Sequence, residues 1–273
     1  MSESIAVVNQ LVLPIFHKPV CTLVVLRRPE DPWPLIVAGN RDERRDRPWL
    51  PPARHWGDRP EVVAGFDQVG GGSWFGINNH GVVAVIMDRE GTLGPLTGKR
   101  SRGELVLEAL DHAEAKASAR ALKDIDTNAY RAFNLFVGDP VSGFWLRHRG
   151  EYGSPGCVED FEVPPGLHML TARDLDDMSV ARIRLHISRY HKAKIPDPAG
   201  GDWTDWQTLL ASRTFPQQDG AHAAMNLDFP NGFGTVCSHL LAIPRYPGFG
   251  HKPKFLFAPG PPDLVPYELV NLD

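Results

Sequence analysis

Hydrophobic positions in the first third of the chain come in short runs. Val20–Leu26 (VCTLVVL) and Leu35–Gly39 (LIVAG) are rich in β-branched residues and flank the turn-rich Arg28–Pro34. They predict a hairpin with a long loop, with Cys21 at the very start of a strand. Residues 40–60 (NRDERRDRPWLPPARHWGDRP) carry charges and prolines that argue against regular structure and predict a surface loop. Trp74–Asn78 and Val82–Met87 are apolar runs joined at Asn78-Asn79-His80-Gly81, where Asn and Gly tolerate positive φ, so a second hairpin is expected. From Ser101 the period changes. Ser101 and Glu104 have capping-box spacing, and Val106, Leu110, Ala113, Ala117 and Ala121 recur at helical intervals, predicting one helix. Phe133–Gly138 and Gly143–His148 read as a third hairpin around Asp139-Pro140, and Leu167–Thr171 as a strand. Asp176 and Asp177 would cap a helix through Tyr190 that carries Val180, Ile183 and Ile187 on one face. A short helix at Trp206–Leu210 and strands at Thr235–Ile243 and Phe255–Ala258 complete the pattern. Hairpins at both ends with helices grouped between them predict an α+β fold of antiparallel sheets covered by helices, forming one domain over residues 21–273.

Composition narrows the function classes. The 26 glycines and 25 prolines among 273 residues suit a sheet-rich fold with many turns better than a helical bundle. Lys and Arg number 29 against 33 Asp and Glu, a formal charge of −4, and no long basic run occurs, so no nucleic-acid partner is expected. No apolar stretch reaches the ~18 residues of a membrane span, and no membrane partner is expected. Residues 1–20 lack the basic start of a secretory signal, and the three scattered cysteines form neither a disulfide framework nor a zinc spacing, so a cytoplasmic setting is expected.

A reactive cysteine needs partial exposure and a nearby cation. Cys157, in GSPGCVED, has no adjacent cation, and Cys237, in TVCSHLL, reads as a small core residue. Cys21 lies one hairpin away from Asn40-Arg41-Asp42-Glu43. Arg41 could hold a thiolate or a substrate carboxylate, and Asp42 could orient an amine or thiol; alternatively Arg41, Asp42 and Glu43 pair among themselves or cap a turn. His55, His80 and His112 fall in a loop, a turn and a polar helix face, and no HExxH or CxxCH occurs, so neither metal nor cofactor is expected. Trp49, Trp56, Trp74 and Phe75 read as core or as the wall of an apolar pocket.

Further blocks accompany the tetrad: Cys21-Thr22-Leu23, Arg47-Pro48, Ala64-Gly65, Gly71-Gly72-Ser73-Trp74-Phe75-Gly76, Ser101-Arg102-Gly103-Glu104-Leu105, Phe133-Asn134-Leu135 with Gly138-Asp139, and Gly234-Thr235-Val236. In this order they resemble the NRDE family, which includes the transport and Golgi organisation proteins. The resemblance implies a four-layer αββα sandwich of the N-terminal-nucleophile hydrolase type. In that superfamily the first residue attacks an amide carbonyl and its own α-amine is the base. It implies a cysteine hydrolase of a small non-peptide amide or acyl substrate. Cys21 would be nucleophile, Arg41 anchor and Asp42 orienter, with Asn40, Trp74 and Asn78 contacting substrate. Asp88 stands where related amidases carry an Asn oxyanion donor, and Thr171-Ala172 where many members carry Ser-Asn. Because an ionised carboxylate cannot donate, these departures support an alternative, a non-catalytic carrier of haem or an acyl metabolite using the same cleft. Most members begin Met-Cys, whereas here residues 1–20 precede Cys21. Val20 can be encoded by GTG, a bacterial start codon, so this extension is expected either to be upstream sequence or to pack on the domain. The sequence assigns no oligomeric state.

Overall fold

A computed structural model describes residues 21–150, 157–245 and 252–273, so the expected N-terminal extension lies outside the described residues. The chain runs through β1 (Thr22–Arg27), β2 (Leu35–Arg44), β3 (Trp49–Ala53), β4 (Val62–Asp67), β5 (Phe75–Asn78) and β6 (Val83–Asp88) before its first helices, α1 (Gly103–Leu110) and α2 (Ala115–Leu122). It continues through β7 (Phe133–Gly138), β8 (Gly143–His148), β9 (Glu159–Glu162) and β10 (Gly166–Leu170) to α3 (Ala181–Lys192) and α4 (Thr204–Leu210). The last strands are β11 (Phe233–Ile243), β12 (Lys254–Ala258) and β13 (Glu268–Leu269).

Two antiparallel sheets result, one ordered β10-β1-β2-β11-β12-β13 and the other β3-β4-β5-β6-β7-β8-β9. Alternating side chains of the first sheet build two cores. Leu23, Val25, Leu35, Val37 and Leu241 face the second sheet, where Phe75, Val85 and Phe136 meet them. Val24, Ile36, Ala38 and Leu240 face the other way, against Ile183 and Tyr190 of α3 and Trp206 of α4. On the far side Leu105, Val106 and Leu110 of α1 and Leu122 of α2 cover Ala84 and Leu135 of the second sheet. The layers are therefore α, β, β, α, as the family resemblance implies.

Two expectations are corrected. Residues 40–60 are not one loop: β2 continues through the charged tetrad to Arg44, and Trp49–Ala53 forms β3. Prolines 51 and 52 are tolerated because β3 is an edge strand whose pairing with β4 is irregular between Leu50 and Ala53. The single helix from Ser101 is two. The Asp139 carboxylate accepts the Ala115 amide (2.7 Å) and restarts the helix in a new phase, which buries Ser118, Ala119 and Leu122 and leaves Ala113, Ala117 and Ala121 exposed. At its start Ser101 Oγ accepts from the Gly103 amide, and Glu104 turns to Arg100.

Candidate active site

Because β2 alternates, its tetrad is divided between two faces. Asn40 and Asp42 point toward α3 and α4. The Asp42 carboxylate, fully covered, accepts from Arg182 Nη1 (2.8 Å) and Thr235 Oγ1 (2.7 Å), and Arg182 Nη1 also donates to Thr22 Oγ1 (2.5 Å). The bulge in β11 between Thr235 and Cys237 brings the Thr235 hydroxyl onto this face. Arg41 and Glu43 face the second sheet instead, and Arg41 Nη2 lies 3.8 Å from Glu43 and 3.7 Å from Asp67. Thr22 is opposite Asn40, so the register sets Cys21 beside Arg41 on this inner face, with β-carbons roughly 5 Å apart. Cys237 flanks Arg41 on its other side. Two strand spacings separate it from Cys21, about 10 Å and beyond disulfide reach.

Cys21 and Arg41 open into a cleft of about 370 Å³ whose lining includes Glu43, Trp74, Asp88 and Arg102. Trp74 is set by close approach. Its six-membered ring lies on Gly65, where any β-carbon would come within 2.3 Å of it. The Arg41 guanidinium carbon sits 4.1 Å above the indole, and Trp49 meets Trp74 edge-on at 5.7 Å. The turn before Trp74 is tied by Asp67, which accepts from the amides of Val69 and Gly70 and from Arg47. At the end of β6, Asp88 turns its carboxylate onto Arg102 Nη2 (2.6 Å). Arg102 and Arg131 donate to carbonyls of the segment after β6, including Leu93 and Gly94, and so fix the cleft wall.

Burial, together with the carboxylates of Asp42 and Asp88, pushes the Cys21 thiol up to about 12, against the opposing pull of the Asp42 main-chain hydrogen bond and of Arg41. Burial raises the Asp88 carboxyl, opposed chiefly by Arg102. Burial likewise raises that of Asp42, opposed by Arg182 and Thr235. With its main-chain nitrogen acylated, Cys21 is thus a thiol near neutral pH.

The cleft brings together Cys21, Arg41, Trp74 and Asp88, and Asp42 reaches Cys21 through its main-chain carbonyl, 3.8 Å from the sulfur. Two expected substrate contacts lie elsewhere. Asn40 donates to the Leu210 and Met225 carbonyls beneath α4, on the opposite face of β2. Asn78 donates to the Leu110 and His112 carbonyls and accepts the His80 and Val82 amides, which fixes the β5–β6 hairpin to the end of α1. Ala172 supplies no side-chain donor, and the nearby Asn134 amide is occupied by the Thr171 and Arg173 carbonyls. Sequence reasoning passed over Arg182, Arg102 and Arg131. The signal for Arg182 was an arginine one residue before Ile183 at the start of a predicted helix, and for Arg102 its place inside the Ser101–Leu105 block. Among the described residues no group of three His, Cys, Asp or Glu could hold a metal ion, and no helix is long and apolar enough to cross a membrane.

The family model for transport and Golgi organisation 2 matches residues 20–218. No curated protein matches the chain by sequence. Among solved structures, the chain is similar to a Caenorhabditis elegans ortholog of N-acylethanolamine-hydrolyzing acid amidase, with a TM-score of 0.53 at 12% identity over 81% of this chain and 92% of that one. Penicillin V acylase from Agrobacterium tumefaciens gives 0.48 at 13% identity, covering 88% and 83% of the two chains. A mutant conjugated bile acid hydrolase from Clostridium perfringens gives 0.46 at 10% identity, covering 92% and 96%. The amidase likeness carries the fold, an α+β sandwich of the N-terminal-nucleophile hydrolase type.

Proposed function

This chain belongs to the transport and Golgi organisation 2 family, and from that premise we propose that it is a cysteine hydrolase of a small non-peptide amide or acyl substrate, working in the cytoplasm. The observation that carries the proposal is the cross-strand placement of Cys21 beside Arg41 at the mouth of a cleft large enough for a small molecule. The reaction requires Cys21 to be the first residue. Its free α-amine then takes the thiol proton, the sulfur attacks the acyl carbon, the protonated amine passes the proton to the leaving group, and water hydrolyses the thioester. A thiol kept protonated by burial and by the Asp42 and Asp88 carboxylates needs such a base. Arg41 holds the substrate, and Asp42 acts through its carbonyl and its Arg182–Thr22 link as a positioning residue.

Turnover of a panel of acyl amides and esters by a chain beginning at Cys21 tests this. Cys21→Ala is expected to abolish turnover while leaving the thermal midpoint nearly unchanged, since a half-buried strand-start cysteine adds little packing. Unaltered turnover would move the activity to another residue. One observation favours a second reading, a carrier of haem or an acyl metabolite: Asp88 and Ala172 offer no side-chain amide donor for an oxyanion. A carrier would bind its ligand with or without the Cys21 sulfur and release it unchanged.

A further inference from the structure

Two buried donors in the cleft lack acceptors among the described residues: Nη1 of Arg41, which is 4% exposed, and Nε1 of Trp74, which is 7% exposed. Arg41 Nη2 has carboxylates nearby but none within hydrogen-bond reach. An arginine keeps its proton in a protein, so the buried guanidinium stays charged; Glu43 and Asp67 offset that charge from 3.8 and 3.7 Å but leave the Nη1 donor unmet. The two unmet donors belong to stacked groups, the guanidinium carbon lying 4.1 Å from the indole centroid. One acceptor group seated there would satisfy both. The cleft lining carries a slight excess of basic side chains, six against five acidic ones that include Glu43. Arg47 is paired with Asp67, Arg102 with Asp88 and Arg100 with Glu104, while Lys99 and Arg131 donate only to carbonyl oxygens. At the mouth, Val69 (60% exposed) and Leu96 (51% exposed) present apolar surface to whatever enters.

We propose that the cleft takes N-acyl amino acids, with the carboxylate on Arg41 Nη1 and Trp74 Nε1, the amide carbonyl over Cys21 and the acyl chain toward Val69 and Leu96. The seat follows from the unmet donors; the chemistry rests on the hydrolase reading above. In an N-acyl amino acid the carboxylate carbon lies roughly 3–4 Å from the acyl carbon, being separated from it by the amide nitrogen and one α-carbon. That span fits two cross-strand neighbours, one presenting the sulfur and the other the guanidinium. Hydrolysis is balanced as follows: the C–S bond forms as the C–N bond breaks, and the amino acid leaves with the proton from the thiol. Water then cleaves the thioester, giving the fatty acid and restoring the thiol.

Binding to the full chain carrying Cys21→Ala tests the seat apart from catalysis. Isothermal titration with N-decanoylglycine and with N-decanoylglycinamide, which differ only in the carboxylate, is expected to show at least tenfold tighter binding of the acid. Adding Arg41→Gln is expected to bring the ratio to about one, and Trp74→Phe to reduce it severalfold. Equal affinities, or binding of neither compound, would overturn the proposal, and the ligand comparison needs no further variant. Turnover by a chain beginning at Cys21 then separates the two readings. Preferential binding with no Cys21-dependent hydrolysis of N-decanoylglycine would end the hydrolase reading and leave the seat standing. Hydrolysis of both compounds at equal rates, with equal affinities, would do the reverse.

Discussion

Arg41 and His239 stand two register positions apart on the same inner face of the first sheet, Arg41 opposite Cys237 and His239 opposite Gly39. Both are almost fully buried, and each has nitrogens that no described residue satisfies. The two sites differ in what surrounds them. His239 stacks on Phe75 at 3.8 Å, and Gly39 faces it because a β-carbon there would come within 2.8 Å of the ring. That end of the inter-sheet space is filled, and burial alone depresses the imidazole to about 3. The ring meets burial by staying neutral, as an arginine cannot. Arg41 meets it with a stacked indole, distant carboxylates and an open cleft. An unmet buried donor therefore marks a cost of packing at one position and a place for a ligand at the other.

The comparison is tested most severely on the opposite face of β2, where Asp42 and Arg182 form a buried pair with hydrogen bonds to Thr235 and Thr22. A pair of that kind is structural. Removing one partner leaves an uncompensated buried charge, so Asp42→Ala is expected to lower unfolding free energy by about 3–5 kcal/mol. Urea denaturation would measure it, with Thr235→Val expected to lose about 1–3 kcal/mol. A loss under about 1 kcal/mol for Asp42→Ala would mean that the helix-facing side is as loosely paired as the cleft side, and the contrast would fail.

The sequence made the hairpins legible because their apolar alternation and turn residues are local properties, as at Asn78–Gly81 and Asp139-Pro140. It hid the course of the tetrad. Four consecutive polar residues read as solvent-exposed when their partners are unseen, and those partners, Arg182, Thr235 and Asp67, lie far along the chain. The family blocks located Cys21, Arg41, Trp74 and Asp88 near one another. They could not say that Asn40 and Asn78 hold main-chain carbonyls, since a buried amide capping a helix and one contacting substrate look alike in sequence. The break between α1 and α2 was equally hidden, because the cap comes from Asp139 in another hairpin.

The neutral imidazole at the closed end has a measurable consequence. In the unfolded chain the ring titrates near its ordinary value of 6.5, and in the folded chain near 3. As pH falls below 6.5 the unfolded state gains a proton that the folded state refuses, so the stability from this group is present above 6.5 and is lost toward 3. Between pH 7.5 and 5 the loss is about 2 kcal/mol. His186, held to about 4 chiefly by burial, adds a loss of the same sign. Urea titrations of the parent and His239→Leu at the two pH values would isolate the term, because packing changes in the variant cancel in the difference. The variant is expected to lose about 2 kcal/mol less than the parent on acidification. An identical loss would show that His239 takes up a proton when folded, and the contrast with Arg41 would disappear.

The smallest expected effect is the sharpest probe of the open end. Burial alone accounts for the depression of His239, whereas Cys21 is raised by burial and then by named charges, Asp42 and Asp88. Single charge removals should therefore be felt at the sulfur and not at the imidazole. Asp88→Asn removes one like charge from the thiolate and releases Arg102 from its ion pair, and both changes favour ionisation of the thiol. A downward shift on the order of one unit, about 1.4 kcal/mol, is expected. Alkylation by iodoacetamide as a function of pH, followed at the Cys21 peptide by mass spectrometry to separate it from exposed Cys157, would read the shift directly. The acid dependence of stability should be unchanged in the same variant once the contribution of Asp88 itself is subtracted. A Cys21 profile that does not move would mean that Arg102 already cancels the carboxylate at the sulfur. The cleft would then be as insulated from its charges as the core around His239, and the two ends would differ in shape alone.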